Sequence, residues 1–214
     1  AIVRFPPAVA VGSVRRADEG PPLRSGAFWT FAAIAALYAF AESTFSNWAV
    51  IYLRESKGLP ADVATLALSA FWGALVAGRL LVSVLVAWIA PTIIWLALPA
   101  LMIAAFQLLP AADTPAWGLG LFALAGLACS AFFPLTITLA SERFPEHVAW
   151  VSAMLIAALM VGIGLGSFLI GPLREWLSLE QLYRLSAVYP FAVIGLALWL
   201  AVDSRRRIAP RPGV

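Results

Sequence analysis

The chain has 214 residues, of which 63% are hydrophobic and 12% are charged, whereas soluble domains have about 45–50% apolar and about 25% charged residues. This composition and a mean hydropathy of +0.93 exclude an ordinary soluble protein and predict a chain whose main solvent is the lipid bilayer. The net charge of +3 is small and dispersed, which predicts no nucleic-acid partner, and the single Cys129 and His147 predict no disulfide, metal site or other cofactor.

The opening residues, 1–26, contain prolines, glycines and arginines before any long apolar run. A secretory signal would place a basic patch before a compact apolar core and a small-residue cleavage site, so no signal peptide is predicted. The first residue is Ala1 rather than methionine. We therefore expect residues 1–26 to be a cytosolic linker, the central loop of a longer parent chain.

Six apolar runs follow this linker, and each is long enough to cross a membrane. A helix needs about 20 mostly apolar residues to span about 30 Å of hydrocarbon. The predicted spans are residues 27–53, 63–88, 91–109, 117–140, 148–171 and 182–202. Proline and glycine punctuate nearly all the breaks, and Pro99, Pro134 and Pro190 predict kinks within spans. The sequence thus predicts an all-α integral membrane protein with a six-helix domain over residues 27–203.

The distribution of basic residues predicts the orientation of these spans. An even number of spans places both termini on one side, and basic residues concentrate on the cytosolic side of membrane proteins. The predicted inner set is Arg4, Arg15, Arg16, Arg24, Arg79, Arg143, Arg205, Arg206, Arg207 and Arg211, and the outer set is Arg54, Lys57, Arg174 and Arg184. We therefore expect a multi-pass protein of the plasma (inner) membrane with a cytosolic N-terminus and a basic cytosolic tail at 204–214. Trp29, Trp48, Trp88, Trp117, Trp150 and Trp176 lie near predicted span ends, where indole rings suit the interface.

Glu42 is the outstanding residue of the first predicted span because it lies about midway along it. An ionised carboxylate at this depth is costly unless it is hydrated, paired or protonated, so Glu42 is a candidate functional residue. At about 100° per residue, Tyr38, Glu42, Ser46 and Ala49 share a helix face that could line a water-filled cavity. Asn47 and Trp48 point elsewhere on a regular helix. The alternative is a neutral carboxyl that is hydrogen-bonded between helices and serves only packing.

The fourth predicted span repeats small or polar residues at intervals of four: Gly126, Ser130, Pro134 and Thr138. These positions could form a second cavity wall. A proline within a helix also frees a backbone carbonyl, which substrate or water could use. The alternative is a close-packed contact between helices.

Glycines in the second and fifth predicted spans favour close helix crossing, and Gly162 and Gly166 have the spacing of a small-residue packing motif. The complete set is Gly73, Gly78, Gly162, Gly164, Gly166 and Gly171. Their function would be a sliding or rocking contact. Arg79, next to Gly78, could extend to headgroups or form a gating ion pair with an acid such as Glu142. We find no catalytic constellation and expect no enzymatic activity.

The sequence resembles the C-terminal six-helix half of a major facilitator superfamily transporter over nearly all of residues 25–205. The stretches AESTFSNWAVIYL and FWGALVAGRLL are similar to the seventh and eighth helices of fucose-permease-like and related sugar transporters. GLACSAFFPLTITLASERFPEH resembles their tenth helix and the following inner loop, and VGIGLGSFLIGPLRE resembles the glycine-rich eleventh helix. The resemblance implies two inverted three-helix repeats.

This resemblance implies that the first and fourth spans face a central substrate path, while the second and fifth face the missing N-terminal six-helix half. The expected substrate or proton pathway comprises Glu42, Tyr38, Ser46, Asn47, Ser130, Pro134 and Thr138, and the expected gate or interface comprises Arg79, Gly78, Gly162 and Gly166. The loop at Ala90-Pro91 lacks the charges that many family members have there, which shifts the expected gating to Arg79. The implied function is alternating-access transport of a small polar solute, a sugar or drug-like molecule, with possible proton coupling. The alternative is a non-transporting six-helix membrane scaffold.

Overall fold

The computed structural model describes residues 21–208, and the side chains of residues 21–203. Within this range every regular element is helical, and six segments are long and apolar enough to cross a membrane. These segments, called spans one to six, are Gly26–Asn47, Ala61–Leu85, Pro91–Ala111, Pro115–Arg143, Pro145–Leu173 and Leu179–Asp203. The predicted all-α fold with six candidate membrane spans is therefore confirmed, and this is the architecture of a multi-pass membrane protein.

The described part of the chain contains nine α-helices, eight of which lie in the spans. Span one is α1 (Gly26–Asn47), which is followed by α2 (Ala49–Ile51) and a π-helical turn (Tyr52–Ser56). Spans two, three and five contain α3 (Ala61–Leu85), α4 (Pro91–Leu108) and α7 (Val148–Leu173). Span four consists of α5 (Pro115–Cys129) and α6 (Phe132–Arg143), and span six of α8 (Leu179–Ser186) and α9 (Val188–Ile208). Helix α9 thus enters the tail predicted from residue 204, whereas residues 1–20 of the predicted linker and 209–214 of the tail lie outside the described range.

Two spans are interrupted, and a proline follows each interruption. Pro134 has no N–H to donate to the Ser130 carbonyl, and Pro190 has none for the Ser186 carbonyl, so the regular helical hydrogen bond is missing at both places. The breaks fall between α5 and α6 and between α8 and α9. Pro99, in contrast, lies inside the continuous helix α4. Two of the three predicted kinks are therefore full breaks in the helix.

The spans differ in how deeply they are buried within the bundle. Helix α1 packs most extensively against α7, and α3 packs most extensively against α5, while α4 contacts both α5 and α9. In their most apolar stretches, spans one and four are 56% and 61% buried, whereas spans two and five are each 22% buried. The outward faces of α3 and α7 carry the exposed side chains Leu66, Trp72, Val76, Leu80, Leu81, Val84, Ile156, Met160, Val161, Leu165, Phe168 and Leu169. Spans one and four are thus the interior of the bundle, and spans two and five offer apolar surface to their surroundings.

Aromatic rings and tyrosine hydroxyls hold one end of the bundle together. Phe45 and Phe106 stack with their ring centroids 3.9 Å apart. The buried Tyr183 hydroxyl donates to the Thr44 carbonyl at 2.9 Å, and the Tyr52 hydroxyl donates to the Leu109 carbonyl at 3.1 Å. Because the interior of a bilayer is as apolar as these side chains, helix association there depends on packing and hydrogen bonds rather than on expulsion of water. These contacts are therefore what joins spans one, three and six.

The same end of the bundle carries an ion-pair network that joins three loops. The Lys57 ammonium pairs with Asp113 at 3.1 Å and with Glu180, and the Arg174 guanidinium pairs with Glu55. Burial of the Lys57 side chain lowers its pKa, but hydrogen bonds to Glu180 and Asp113 more than offset this effect, so the net pKa is raised. At the opposite end, Arg143 and Asp203 pair at 2.9 Å. Two residues of the predicted outer set, Lys57 and Arg174, belong to this network. The side of the membrane that the network faces stays a prediction.

Tryptophans mark the ends of several spans. Trp29 lies in the first turn of α1 and Trp117 in the first turn of α5, while Trp88 follows α3 and Trp176 follows α7. All four are more than half exposed. Amphipathic indole rings at the ends of apolar helices are typical of the membrane–water interface, which agrees with a bundle that spans the bilayer.

Candidate functional site

Glu42 lies near the centre of the helical segment that runs from Gly26 to Ser56, with an interruption at Trp48. Its side chain is half-buried in the bundle. It interacts electrostatically with the Tyr38 hydroxyl one turn earlier on the same helix and with the Arg79 guanidinium on span two. A carboxyl group at membrane depth requires partners of this kind, because an isolated charge there costs several kcal/mol.

Tyr38 connects span one to the interruption of span four. Its hydroxyl donates to the Cys129 carbonyl at 2.8 Å, and its side chain is only 2% exposed. The ring stacks against Phe132 and Phe133, which open the second half of the interrupted span. The Tyr38 hydroxyl therefore satisfies one of the carbonyls that the end of α5 leaves without a helical partner.

Arg79 satisfies the neighbouring carbonyl from the other side. Its Nε donates to the Ser130 carbonyl at 3.0 Å, and this is the carbonyl that Pro134 cannot bond. The expected ion pair between Arg79 and Glu142 is not observed in the described part of the chain. The physical reason is that an unpaired buried carbonyl close to span two is a strong acceptor for a guanidinium.

The polar cluster defined by Tyr38, Glu42, Arg79 and the Cys129-Ser130 carbonyls is thus built from three spans. It brings together four of the eleven predicted site residues: Tyr38, Glu42, Arg79 and Ser130. The guanidinium-bearing Arg79 residue is exposed, as are Pro134 and Thr138 on α6. The cluster therefore reaches the surface of the bundle at membrane depth.

The expected single polar face of span four is not observed. Gly126 and Ser130 are buried against span two, whereas Pro134 and Thr138 are exposed. Positions four apart drift by about 40° per step around a straight helix, and the break after Cys129 separates the two pairs further. The Thr138 hydroxyl donates to the Pro134 carbonyl at 3.1 Å. Only the pair on α6 therefore forms part of the exposed surface.

The other two residues predicted on span one make no contact with the side chains of the polar cluster that the structure records. The Ser46 hydroxyl donates to the Glu42 backbone carbonyl at 2.9 Å and is buried. Asn47 is exposed, and its amide donates to the Ser167 hydroxyl on span five at 2.6 Å. The Trp48 indole N–H donates to the Ser167 carbonyl at 3.3 Å. Asn47 and Trp48 thus point toward span five, as expected for residues off the Glu42 face.

Three of the predicted interface glycines lie where helices approach most closely. A Cβ at Gly162 would overlap the Ala36 carbonyl on span one, and one at Gly166 would overlap the Ser43 hydroxyl on the same span. A Cβ at Gly78 would overlap the Ser130 side chain on span four. In contrast, Gly73, Gly164 and Gly171 have nothing within 4 Å of such an atom. Gly78, Gly162 and Gly166 thus lie in close contacts between helices, whereas Gly73, Gly164 and Gly171 do not.

Sequence reasoning missed three residues that take part in these contacts. Cys129 takes part in the polar cluster through its backbone carbonyl rather than its thiol. The only sequence signal near it is Pro134, five residues later. Ser43 faces Gly166, and Ser167 accepts from Asn47. Small polar residues such as these leave no pattern that distinguishes a contact between helices from an exposed position.

The polar cluster offers both hydrogen-bond donors and hydrogen-bond acceptors. A carboxyl that gains or loses a proton, a guanidinium and two backbone carbonyls can exchange partners with each other or with a small polar solute. The comparisons with known proteins add no assignment, because no protein-family model matches the chain and no curated protein shows significant similarity to it.

Proposed function

We propose that the chain is a six-helix half of a secondary transporter of the major facilitator type, which moves a small polar solute by alternating access coupled to a proton at Glu42. The observation that carries the proposal is the polar cluster around the interrupted span four, which reaches the bundle surface at membrane depth. Ionisable groups inside a membrane are expensive, and they typically mark solute or proton pathways. Discontinuous helices with exposed carbonyls serve the same purpose in transporters.

The packing of the spans supports an arrangement of two three-helix repeats. If spans one to three correspond to spans four to six, the extensive pairing of span one with span five has its counterpart in the pairing of span four with span two. The close approach of Gly166 to Ser43 likewise has its counterpart in that of Gly78 to Ser130. Successive spans alternate in direction, so two units of three spans have opposite orientations. Such inverted repeats are typical of secondary transporters.

The exposed polar residues support a partner half. Asn47, Arg79 and Thr138 are exposed on the described bundle, and Arg79 in particular would be costly against lipid hydrocarbon. A second six-helix bundle facing them would enclose a polar cavity with Glu42 in its wall. The solute would bind there, and protonation of Glu42 would change the charge of the wall and thus the relative stability of the open states.

The test is uptake of radiolabelled monosaccharides, namely fucose, galactose and glucose, into proteoliposomes that contain the protein with its natural flanking sequence. We expect uptake of one sugar that is driven by an inward proton gradient. Glu42→Gln removes the ionisable carboxyl, and we expect it to abolish the dependence of uptake on pH. Glu175→Gln removes an exposed carboxyl outside the spans and should leave uptake unchanged.

Two results would contradict the proposal in different ways. Uptake with the same pH dependence in Glu42→Gln would remove the role of this residue while leaving transport intact. Absence of gradient-driven uptake of every sugar would remove the sugar assignment. If drug-like solutes were not transported either, the six-helix scaffold would become the better description.

A further inference from the structure

A cavity of about 430 Å³ lies at the end of the bundle opposite the ion-pair network. Its walls come from spans one, three, four and six, and its apolar lining includes Phe31, Trp95, Leu139 and Leu200. Glu142 and Arg143, at the end of α6, are the charged residues of the lining. The polar cluster does not contribute to this cavity, whose volume is in the range typical of small-ligand sites, about 300–1,000 Å³.

The mouth of the cavity presents both signs of charge side by side. Arg143 pairs with Asp203, and both side chains are only about a quarter exposed. Glu142 is exposed and forms no ion pair within the described residues. Because Arg143 is already paired, Glu142 is the lining charge that is open to a ligand, and its carboxylate favours a ligand whose head carries a hydrogen-bonding cation.

The approach to the cavity is apolar. Ile93, Trp199 and Val202 are neighbours in sequence of lining residues of spans three and six, and they are 62%, 48% and 49% exposed. Exposed aliphatic and aromatic side chains on the membrane-spanning part of a helix face lipid. Spans three and six therefore present apolar surface to the bilayer beside the residues that line the cavity.

We propose that this cavity is a binding site for a phospholipid with a primary ammonium headgroup, as in phosphatidylethanolamine. Part of one acyl chain occupies the space between Phe31, Trp95 and Leu139. The ammonium donates to the Glu142 carboxylate, and the phosphate accepts from the guanidinium of Arg143, which has five N–H donors and keeps Asp203 as a partner. The site is separate from the proposed transport path and does not depend on it.

The chemistry of the headgroup allows the site to distinguish phosphatidylethanolamine from other phospholipids. Phosphatidylcholine has the same phosphate and acyl chains, but its quaternary ammonium has no N–H to donate to Glu142. Phosphatidylglycerol has no cation to pair with the Glu142 carboxylate. We therefore expect the ethanolamine lipid to bind about tenfold more tightly than either of the other two, as one charge-assisted hydrogen bond produces.

The experiment is native mass spectrometry of the detergent-solubilised chain, titrated separately with phosphatidylethanolamine, phosphatidylcholine and phosphatidylglycerol of identical acyl chains. We expect one molecule of phosphatidylethanolamine to bind about tenfold more tightly than the others. Glu142→Gln should lower its affinity to that of phosphatidylcholine, while Glu146→Gln, a neighbouring exposed acid outside the lining, should have no effect.

A second variant tests the acyl-chain part of the site. Ala201 contributes to the lining, and Ala201→Phe should fill the cavity and abolish binding of the single retained lipid without altering the helices. Equal affinity for ethanolamine and choline lipids, or retention of the lipid in Ala201→Phe, would overturn the proposal. Competition by dodecylamine as effective as that of the phospholipid would show that the site recognises any amphiphilic amine and that Arg143 does not bind phosphate, which would also overturn it.

Discussion

Single atoms decide where the spans of this bundle can touch. Gly162 and Gly164 lie two positions apart on the same helix, yet a Cβ at Gly162 would overlap the Ala36 carbonyl, whereas one at Gly164 would meet nothing within 4 Å. In a membrane, helices approach closely only where small residues permit it, and the approach is what provides packing energy. The contact between spans one and five thus depends on particular glycines rather than on the glycine content of span five.

Gly162→Ala should therefore destabilise the bundle, and Gly164→Ala should not. The added methyl at position 162 must push span five away from the backbone of Ala36, and overpacking of this kind costs about 1–3 kcal/mol. The same change at position 164 adds no clash and replaces glycine with a better helix former, worth about 0.5–1 kcal/mol. Thermal unfolding in detergent measures both. Equal melting temperatures for the two variants would show that spans one and five are not in close contact at position 162.

At the scale of elements, the interruption of span four is the feature that makes the polar cluster possible. A continuous helix would use the carbonyls of Cys129 and Ser130 internally. Because Pro134 leaves the Ser130 carbonyl without its regular partner, Arg79 can donate to it, and Tyr38 donates to its neighbour. The three spans are thus joined through backbone atoms rather than through an ion pair.

Pro134→Ala should change this arrangement in a measurable way. The new amide at position 134 can donate to the Ser130 carbonyl, so α5 and α6 should join into one helix. The hydrogen bond from Arg79 to this carbonyl should then contribute less to stability. We therefore expect Arg79→Met to lower the melting temperature more in the native background than in the Pro134→Ala background, with a coupling of about 0.5–3 kcal/mol. Additive effects of the two changes would contradict a direct link between Arg79 and the carbonyl that Pro134 frees.

The elements also show how far the sequence could predict the structure. The six spans follow from runs of apolar residues, because membrane thickness fixes their length. Proline chemistry identified the carbonyl freed by Pro134, but its partner could not be predicted, since Arg79 is distant in sequence and Glu142 offered an equally reasonable opposite charge. The common face assigned to Ser130 and Thr138 failed because a four-residue repeat drifts around a helix and the helix breaks between them. Contacts between spans require the crossing geometry, which local patterns do not contain.

At the scale of the whole molecule, the two ends of the bundle differ in how tightly they are held. One end has Lys57 between Asp113 and Glu180, so that one ammonium group joins the loops after spans one and three to the first turn of α8. The opposite end contains the cavity and the Arg143–Asp203 pair. If the six helices move as one body in a transport cycle, this ion-pair network would hold their ends together during the movement.

The contribution of Lys57 should depend on pH in a defined direction. Its pKa in the folded protein is raised above the ordinary value of 10.5, so the charged form stabilises the fold. This stabilisation is fully present below about pH 10 and is lost as the pH rises through the folded-state pKa. Lys57→Met should therefore lower the melting temperature at neutral pH, and its difference from the native chain should shrink above pH 10.5. Arg54→Met, which removes an exposed basic side chain from the π-helical turn just before Lys57, should show neither effect. The comparison is made by thermal unfolding of the three proteins in detergent from pH 7 to pH 11.5. If the melting temperatures of Lys57→Met and the native chain differ by the same amount over this whole range, the network does not depend on the charge of Lys57.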